Sequence, residues 1–407
     1  MTLFADDAAT EPPSTAPSVP LARPAPSRTL AQSRAFGSSL TFLAFLAIFA
    51  GYSVWLGDRF LDPGARLLNL HQNVPVLLIA LAAMITLVAG KFDLSVSSTA
   101  SLTAYLAIGL RTEQGLPFWA VLVACLAVGV AVGLVNGFLV EYLSINAFIA
   151  TLGSGGVILG ISSVYSGGGP LIPSGPRAVP GWFDALGSFA SRPPAAVVWA
   201  IAAVACAALV RLLGAVVPSR WDRTRSLAAR TVAVAAAAAL VVVGLDVPSW
   251  SGGVSWLTFL LLVVATAMWV LLELTAFGRG LKASGANPEA ARLAGIHTRR
   301  HVLGAFVLGG VLAALAGVIL AATQGSVAPD LAGAFLLPAF AAAFLSTVVF
   351  SAGAFTVWGT VIGGVFVVWV GQGLIVGGLP NTWTDIVNGA VLLIAVSLST
   401  VVRIARR

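Results

Sequence analysis

Few side chains here have the types and spacing to do chemistry. The chain carries three histidines, His71, His297 and His301. The last two stand four apart, which puts two imidazoles on one helix face and suits a metal ion. No third ligand lies nearby, and arginines flank the pair. Neither Gly-x-Ser-x-Gly nor His-Glu-x-x-His occurs, so no nucleophile elbow and no zinc-protease helix is present in the sequence. Gly-x-x-x-x-Gly-Lys-Ser/Thr is missing too, so any use of ATP belongs to another chain. Cys125 and Cys206 sit inside apolar runs and read as small core residues.

What remains are polar groups inside apolar runs: Asp93, Ser95, Ser97, Asn136, Thr151, Gln324 and Asn388. Ser, Thr and Asn at such positions join membrane helices by hydrogen bonds or line a solute path. Asp93 stands out, because a carboxylate at membrane depth is costly and often functional. Lys91 lies two residues before it.

One polar stretch is different in kind. GANPEAARLAGI, Gly285 to Ile296, begins and ends like a helix. Asn287 is a good N-cap, Pro288 suits the first helical position, and Glu289 favours the positive helix end. Gly295 can take the left-handed conformation that closes a helix. These signals predict a helix over 288–294, roughly 10 Å long. Ala290, Ala291 and Ala294 leave one side nearly bare, a shape for close docking, with Arg292, Arg299 and Arg300 around it. A seven-residue helix is marginal in isolation, so such strong stop signals are unusual for a linker.

The elements that must position these groups are membrane helices. Of 407 residues, 58% are hydrophobic and 9% charged, with mean hydropathy +0.98. A soluble chain carries roughly 25% charged residues. Apolar runs long enough to cross a bilayer recur from near Thr41 onward. They do not alternate polar and apolar residues as barrel strands would. The fold class is an all-α polytopic membrane protein with about 10–12 transmembrane helices. Twelve spans are expected, at 38–56, 74–90, 95–110, 118–140, 145–165, 193–213, 231–246, 255–276, 302–323, 334–350, 353–376 and 383–402. The third and tenth are the weakest and have the character of short or re-entrant segments.

Residues 1–36 are rich in Pro, Ser and Ala and read as a disordered tail, followed by one membrane domain over 37–407. Lys and Arg cluster in the tail, at Arg211 to Arg230, at Arg279 to Arg300 and after Arg403. An even number of expected spans separates each cluster from the next, so all four fall on one side. By the positive-inside rule that side is the cytoplasm, which then holds both termini and Gly285–Ile296. The net charge of +7 is accounted for by this placement and does not call for a nucleic-acid partner. Gly129, Gly133 and Gly137 recur every four residues on one helix face, a spacing that lets membrane helices approach closely. Gly156 with Gly160, and Gly359 with Gly363, repeat it.

GRGLKASGANPEAARLAGI resembles the cytoplasmic coupling loop of ABC-importer permeases of the ribose/xylose type. In that family the loop carries a Gly-x-Asn-x-x-Ala-Ala-x-x-x-Gly-Ile pattern. FDLSVSSTASL (Phe92–Leu102) is similar to the family's Asp-Leu-Ser-Val-x-Ser signature. NGFLVEYLSINAFIATLGSGGVILG (Asn136–Gly160) is similar to its Asn-Gly…Pro-Phe-Ile-x-Thr-Leu-Gly segment, with Ala147 in place of the Pro. VLGGVLAALAGVILAATQGSVAPDLAGAFLLPAFAAAFL matches the helix, outer loop and span after the coupling loop. The order agrees, over roughly residues 40 to 400. FLSTVVFSAGAFTVWGT (Phe344–Thr360) departs from the family's Val-Leu-Gly-Gly-Thr-Ser segment. A helix pair at about 211–256 looks like an insertion relative to a ten-span layout.

The resemblance implies a multi-pass permease of the bacterial inner membrane, without enzymatic activity, serving a binding-protein-dependent monosaccharide importer. It implies an ABC ATPase partner holding ATP and Mg, an extracytoplasmic substrate-binding protein and a second permease, either another copy of this chain or a close homologue. No cofactor is expected in this chain. Within the coupling loop (about 277–301), Gly285, Asn287, Glu289, Ala290, Ala291, Arg292 and Gly295 are the expected ATPase contacts. The seven polar span residues become candidates for the sugar path. The outer loop from Ser166 to Arg192, with Trp182 and Phe183, is long enough to meet the binding protein. The competing expectation is a secondary carrier driven by an ion gradient, which needs titratable or ion-coordinating groups near mid-membrane. Apart from Asp93, Glu273 and Asp385, the spans carry almost none.

Overall fold

The computed structural model describes residues 46–173, 179–194, 254–349, 353–380 and 382–404. The expected tail 1–36, the span 231–246, nearly all of 193–213, Arg177 and Cys206 lie outside them. The described chain is helical. Its one extended pairing is a bridge between Leu171 and Val327. In chain order the first helices are α1 (Leu46–Leu56), α2 (Asp58–Leu61), α3 (Pro63–Gln72), α4 (Val74–Val88), α5 (Ser95–Thr112), α6 (Phe118–Glu141), α7 (Ala147–Ser166) and α8 (Gly181–Gly187). Then come α9 (Trp256–Leu274), α10 (Ala276–Ala286), α11 (Pro288–Leu293), α12 (Thr298–Gln324), α13 (Leu336–Val349), α14 (Val357–Val376) and α15 (Thr382–Ile404).

Among the described residues, five helices are long and apolar enough to cross a membrane: α6, α7, α9, α12 and α14. The bent pair α3–α4 makes a sixth. The expected spans at 38–56, 334–350 and 383–402 are represented by shorter apolar helices over Leu46–Leu56, Gly333–Thr347 and Thr382–Ile394. The third expected span, α5, is too rich in Ser and Thr to join the apolar set, and it is buried along almost its whole length.

α4 is the axis of the protein. Every residue from Val74 to Leu87 is buried, against α3, α5, α9, α10, α12, α13 and α14. Hydrophobic exclusion supplies little force between helices in lipid, so close packing and hydrogen bonds must hold them. The glycines provide the packing. A Cβ on Gly129 would meet the Gly310 carbonyl, one on Gly133 the backbone of Phe306 and Val307, and one on Gly137 Leu303. The close approach expected from the four-residue spacing is therefore present, and the helix that approaches is α12. Gly359 and Gly363 likewise face Ser346, Ala342 and Leu345 on α13. Gly156 and Gly160 differ: both are exposed on α7, with nothing within 4 Å of a built Cβ. Spacing alone does not reveal which helix face turns inward.

The sequence also does not announce the helix before α4. α3 starts at Pro63, capped by Asp62, whose side chain accepts the Ala65 N–H. Pro75 lacks an N–H and crowds the preceding turn, so a straight continuation is blocked. The axis bends by 53° between α3 and α4. Asn73 closes α3, its backbone N–H and its Nδ2 both reaching the Asn69 carbonyl, the latter at 2.8 Å.

Candidate functional site: a capped surface helix and a polar cavity at opposite ends of α4

α11 spans Pro288–Leu293, one residue shorter than its sequence signals predict, with both caps formed. Asn287 Oδ1 accepts the N–H groups of Glu289 (3.1 Å) and Ala290 (3.0 Å). Beyond the last turn, the Gly295 N–H reaches the Arg292 carbonyl and the Ile296 N–H the Ala291 carbonyl, both at 3.0 Å. Gly295 holds φ at +81°, the left-handed region where glycine carries no Cβ penalty.

The expected bare alanine face is corrected in one respect. Ala291 is 5% exposed and turned into the protein. Ala290 and Ala294 are exposed, with Asn287, Glu289, Arg292 and Gly295. A turn of 100° per residue separates Ala290 from Ala291, whereas Ala290 and Ala294 share a face. The projecting apolar side chain is Leu293, 91% exposed, which the sequence reading passed over. The available signal was a leucine alone in a short polar helix. Gly285 is half-buried. It lies against the Val88 carbonyl, where a Cβ has no room.

Beside α11 is a cleft of about 790 Å³ bounded by Lys91, Glu141, Asn146, Arg292 and Arg299 among others. Lys91 pairs with Glu141 at 3.0 Å, not with Asp93. The Arg299 guanidinium lies 5.7 Å from the Tyr142 ring centroid.

The seven polar span residues fall in separate places. Asp93, Ser95, Asn136 and Thr151 meet where α5, α6 and α7 converge with the α4–α5 turn. Asp93, 2% exposed, accepts from the Ser95 N–H (3.0 Å) and Oγ–H (2.6 Å). Asn136 Nδ2 donates to Ser95 Oγ at 2.7 Å. Thr151 Oγ1 accepts the Leu94 N–H at 3.1 Å and donates to the Ala147 carbonyl at 2.8 Å. The Asp93 carboxylate thus sits at the start of α5, where the helix dipole favours negative charge, and the group ties three helices together. Ser97 is buried in α5. Gln324 is exposed at the end of α12.

Asn388 belongs to a cavity of about 250 Å³ at the α3–α4 break. Asn69, Gln72, Asn73 and Gln372 line it as well, with Phe335 from the loop before α13. Asn69 is 4% exposed. Its Nδ2 donates to Gln372 Oε1 at 2.9 Å, and its Oδ1 has no hydrogen-bond partner. Fifteen residues of α4, about 22 Å at 1.5 Å per residue, separate this end from Gly285.

Two of the three histidine rings have a hydrogen-bond partner in the protein. The His71 ring is 2.8 Å from the Gly187 carbonyl through Nε2. The His301 ring stacks on Phe277, and its Nδ1 is 2.9 Å from the His297 carbonyl in its own turn. Among the described residues no group of three His, Cys, Asp or Glu is close enough to hold a metal ion. In the outer loop Phe183 is core, its ring 4.6 Å from that of Phe118, while Trp182 is exposed.

The geometry is that of a helical membrane protein with a capped surface helix at one end of α4 and a polar cavity at the other. The chain belongs to the family described as branched-chain amino acid transport system / permease component, whose model matches residues 67–396. It is similar to the galactose/methyl galactoside import permease protein of Escherichia coli (strain K12), 28% identical over 362 residues, covering 84% of this chain and 89% of the relative. It is also similar to the autoinducer 2 import system permease protein LsrD of Klebsiella pneumoniae, 27% identical over 341 residues, covering 84% and 85%. The LsrC protein of Salmonella paratyphi B is 27% identical over 318 residues, covering 78% and 73%. No solved structure matches. The chain is therefore an ABC-importer permease of the inner membrane, a transport subunit whose ATPase and substrate-binding protein are separate partners. The ion-gradient carrier is set aside on this finding.

Proposed function

We propose that this chain is the membrane subunit of an importer for a neutral, monosaccharide-sized solute. Two copies form the path, an extracytoplasmic binding protein delivers the solute near Gln324 and the α3–α4 break, and an ATPase holding ATP and Mg docks on α11. The observation that carries the coupling role is Leu293. A leucine 91% exposed on a helix that is doubly capped and locked to α10 has the form of an anchor for a hydrophobic pocket in a partner. Asn287, Glu289, Ala290, Arg292 and Gly295 surround it as the rim. Gly285 and Ala291 support the helix from behind. The solute class is supported by the galactoside and autoinducer 2 relatives.

The test is co-purification of the permease with its ATPase, followed by ATP-driven uptake of labelled galactose, ribose and xylose in proteoliposomes. Leu293→Asp should abolish the complex and the uptake together. Normal uptake by that variant would refute docking on α11. A wild-type complex that hydrolyses ATP and carries none of the sugars would refute the solute class alone.

A further inference from the structure

The cavity at the α3–α4 break lies far from α11 and from the Asp93 group, and amides make up most of the polar part of its otherwise apolar lining. Five primary amides face it: Asn69, Gln72, Asn73, Gln372 and Asn388. Each such amide offers two N–H donors and a carbonyl acceptor. A hydroxyl offers one donor and two lone pairs, so a ring of amides complements a ring of hydroxyls from either direction. Phe335 adds the apolar surface on which the C–H face of a sugar packs. We infer that this cavity is a binding site within the membrane subunit for a neutral polyhydroxylated solute, an inference that rests on the importer reading above.

Three further observations support this assignment. Asn69 Oδ1 is buried and has no hydrogen-bond partner. A buried polar atom left so is costly, and a solute in the cavity meets it once the Asn69 amide turns toward the cavity. Second, the cavity sits at a Pro-broken helix. Irregular backbone at membrane depth is tolerated where it lines a cavity, and transporters build solute sites from such discontinuous helices. Third, the charges select against the family's namesake solute. No Lys, Arg or His lines the cavity, and its one ionisable lining residue is Asp385, in the first turn of α15. The Arg66 guanidinium, one turn before Asn69, lies over the Phe60 ring at 4.5 Å. A phosphorylated sugar would face the Asp385 carboxylate with no cation to pair its own charge, and an amino acid could pair its ammonium there but would leave its own carboxylate without a cation. The volume of about 250 Å³ equals roughly eight waters at about 30 Å³ each, which suits one small solute.

The experiment uses the complete transporter, permease with its ATPase and binding protein, in proteoliposomes. Gln372→Cys, and Gln72→Cys as a second position, are labelled with a membrane-impermeant thiol reagent, with the wild type as background. Galactose, ribose, xylose and L-leucine are the probes. Whichever sugar the wild type carries should slow labelling at least fivefold, L-leucine should not, and Asn69→Leu should raise the KM for uptake at least tenfold. Labelling indifferent to a sugar that the wild type carries overturns the cavity assignment and leaves the importer reading standing. Protection by L-leucine instead overturns the solute class, and absence of any sugar uptake by the wild type overturns the importer's sugar reading and this inference with it.

Discussion

Gly285 lies directly against the carbonyl oxygen of Val88, with no space for even a methyl group between them. Gly90, the second residue beyond α4, turns with φ at +73° beside the same glycine. The loop bearing α11 is therefore seated on the end of a helix buried from Val74 to Leu87. The other end of that helix borders the polar cavity through Val76. A push on α11 has a short, rigid route to the cavity along α4.

Gly285→Val should break that seating. Overpacking a close contact costs about 1–3 kcal/mol, and here α10 and α11 must move away from α4. ATP-driven uptake should fall at least tenfold while the permease remains in the membrane at normal level. Uptake within twofold of wild type would show that α11 does not act through α4.

Leu293 and Ala291 should respond in opposite ways. Leu293→Asp changes an exposed side chain and should leave the thermal midpoint in detergent unchanged, with ATPase binding lost. Ala291→Trp forces bulk into the buried side of α11 and should lower the midpoint or loosen the loop, seen as faster amide exchange over Asn287–Ile296. Equal thermal effects of the two would contradict the inward and outward assignment.

Asn287→Ala removes the acceptor for two helix N–H groups. Loss of such a cap costs about 1 kcal/mol, close to fivefold in an affinity that depends on a formed helix. Titration of the ATPase against the permease would measure it. An unchanged affinity would mean that α11 is not the docking element or that its packing on the rest of the protein keeps it formed without the cap.

Asn136→Leu should destabilise the group around Ser95. It removes a donor to a buried hydroxyl, and a hydrogen bond lost in this way costs about 1–3 kcal/mol. Asn136→Asp should be worse, placing a second carboxylate beside Asp93 through the shared serine. Thermal unfolding in detergent distinguishes the order. A more stable Asp variant would contradict the arrangement of Asp93, Ser95 and Asn136.

Gly310→Val tests the α6–α12 crossing. Its Cβ would meet the Gly129 carbonyl, so the two helices would separate and folded protein in the membrane should drop sharply. Gly156→Val, on the exposed face of α7, should leave folding of the single subunit intact. Comparable losses for both would place Gly156 in a contact outside the described residues or between copies.

Much of α11 was legible from local sequence, because caps are local. Asn287, Pro288 and Gly295 each act within four residues, and their spacing defines a helix wherever the loop sits. The apolar runs and the Gly129, Gly133 and Gly137 face were legible for the same reason, since length and period are properties of a single segment. Which side of α11 faces out was not legible. Ala290, Ala291 and Ala294 are chemically alike, and only the packing of α11 on its own protein turned Ala291 inward and left Leu293 in the open.

The cavity depended entirely on tertiary structure. Asn69 and Gln372 share a hydrogen bond across 303 residues of chain, and no period or motif relates them. Asn388 was visible as one polar residue in an apolar run, indistinguishable there from Ser97 or Gln324. Hydrogen bonds in a membrane protein join whatever the helix crossings bring together. Composition thus made this chain a membrane protein and local signals gave it a capped helix, whereas the bend at Pro75 and the approach of α14 and α15 decided where five amides would meet.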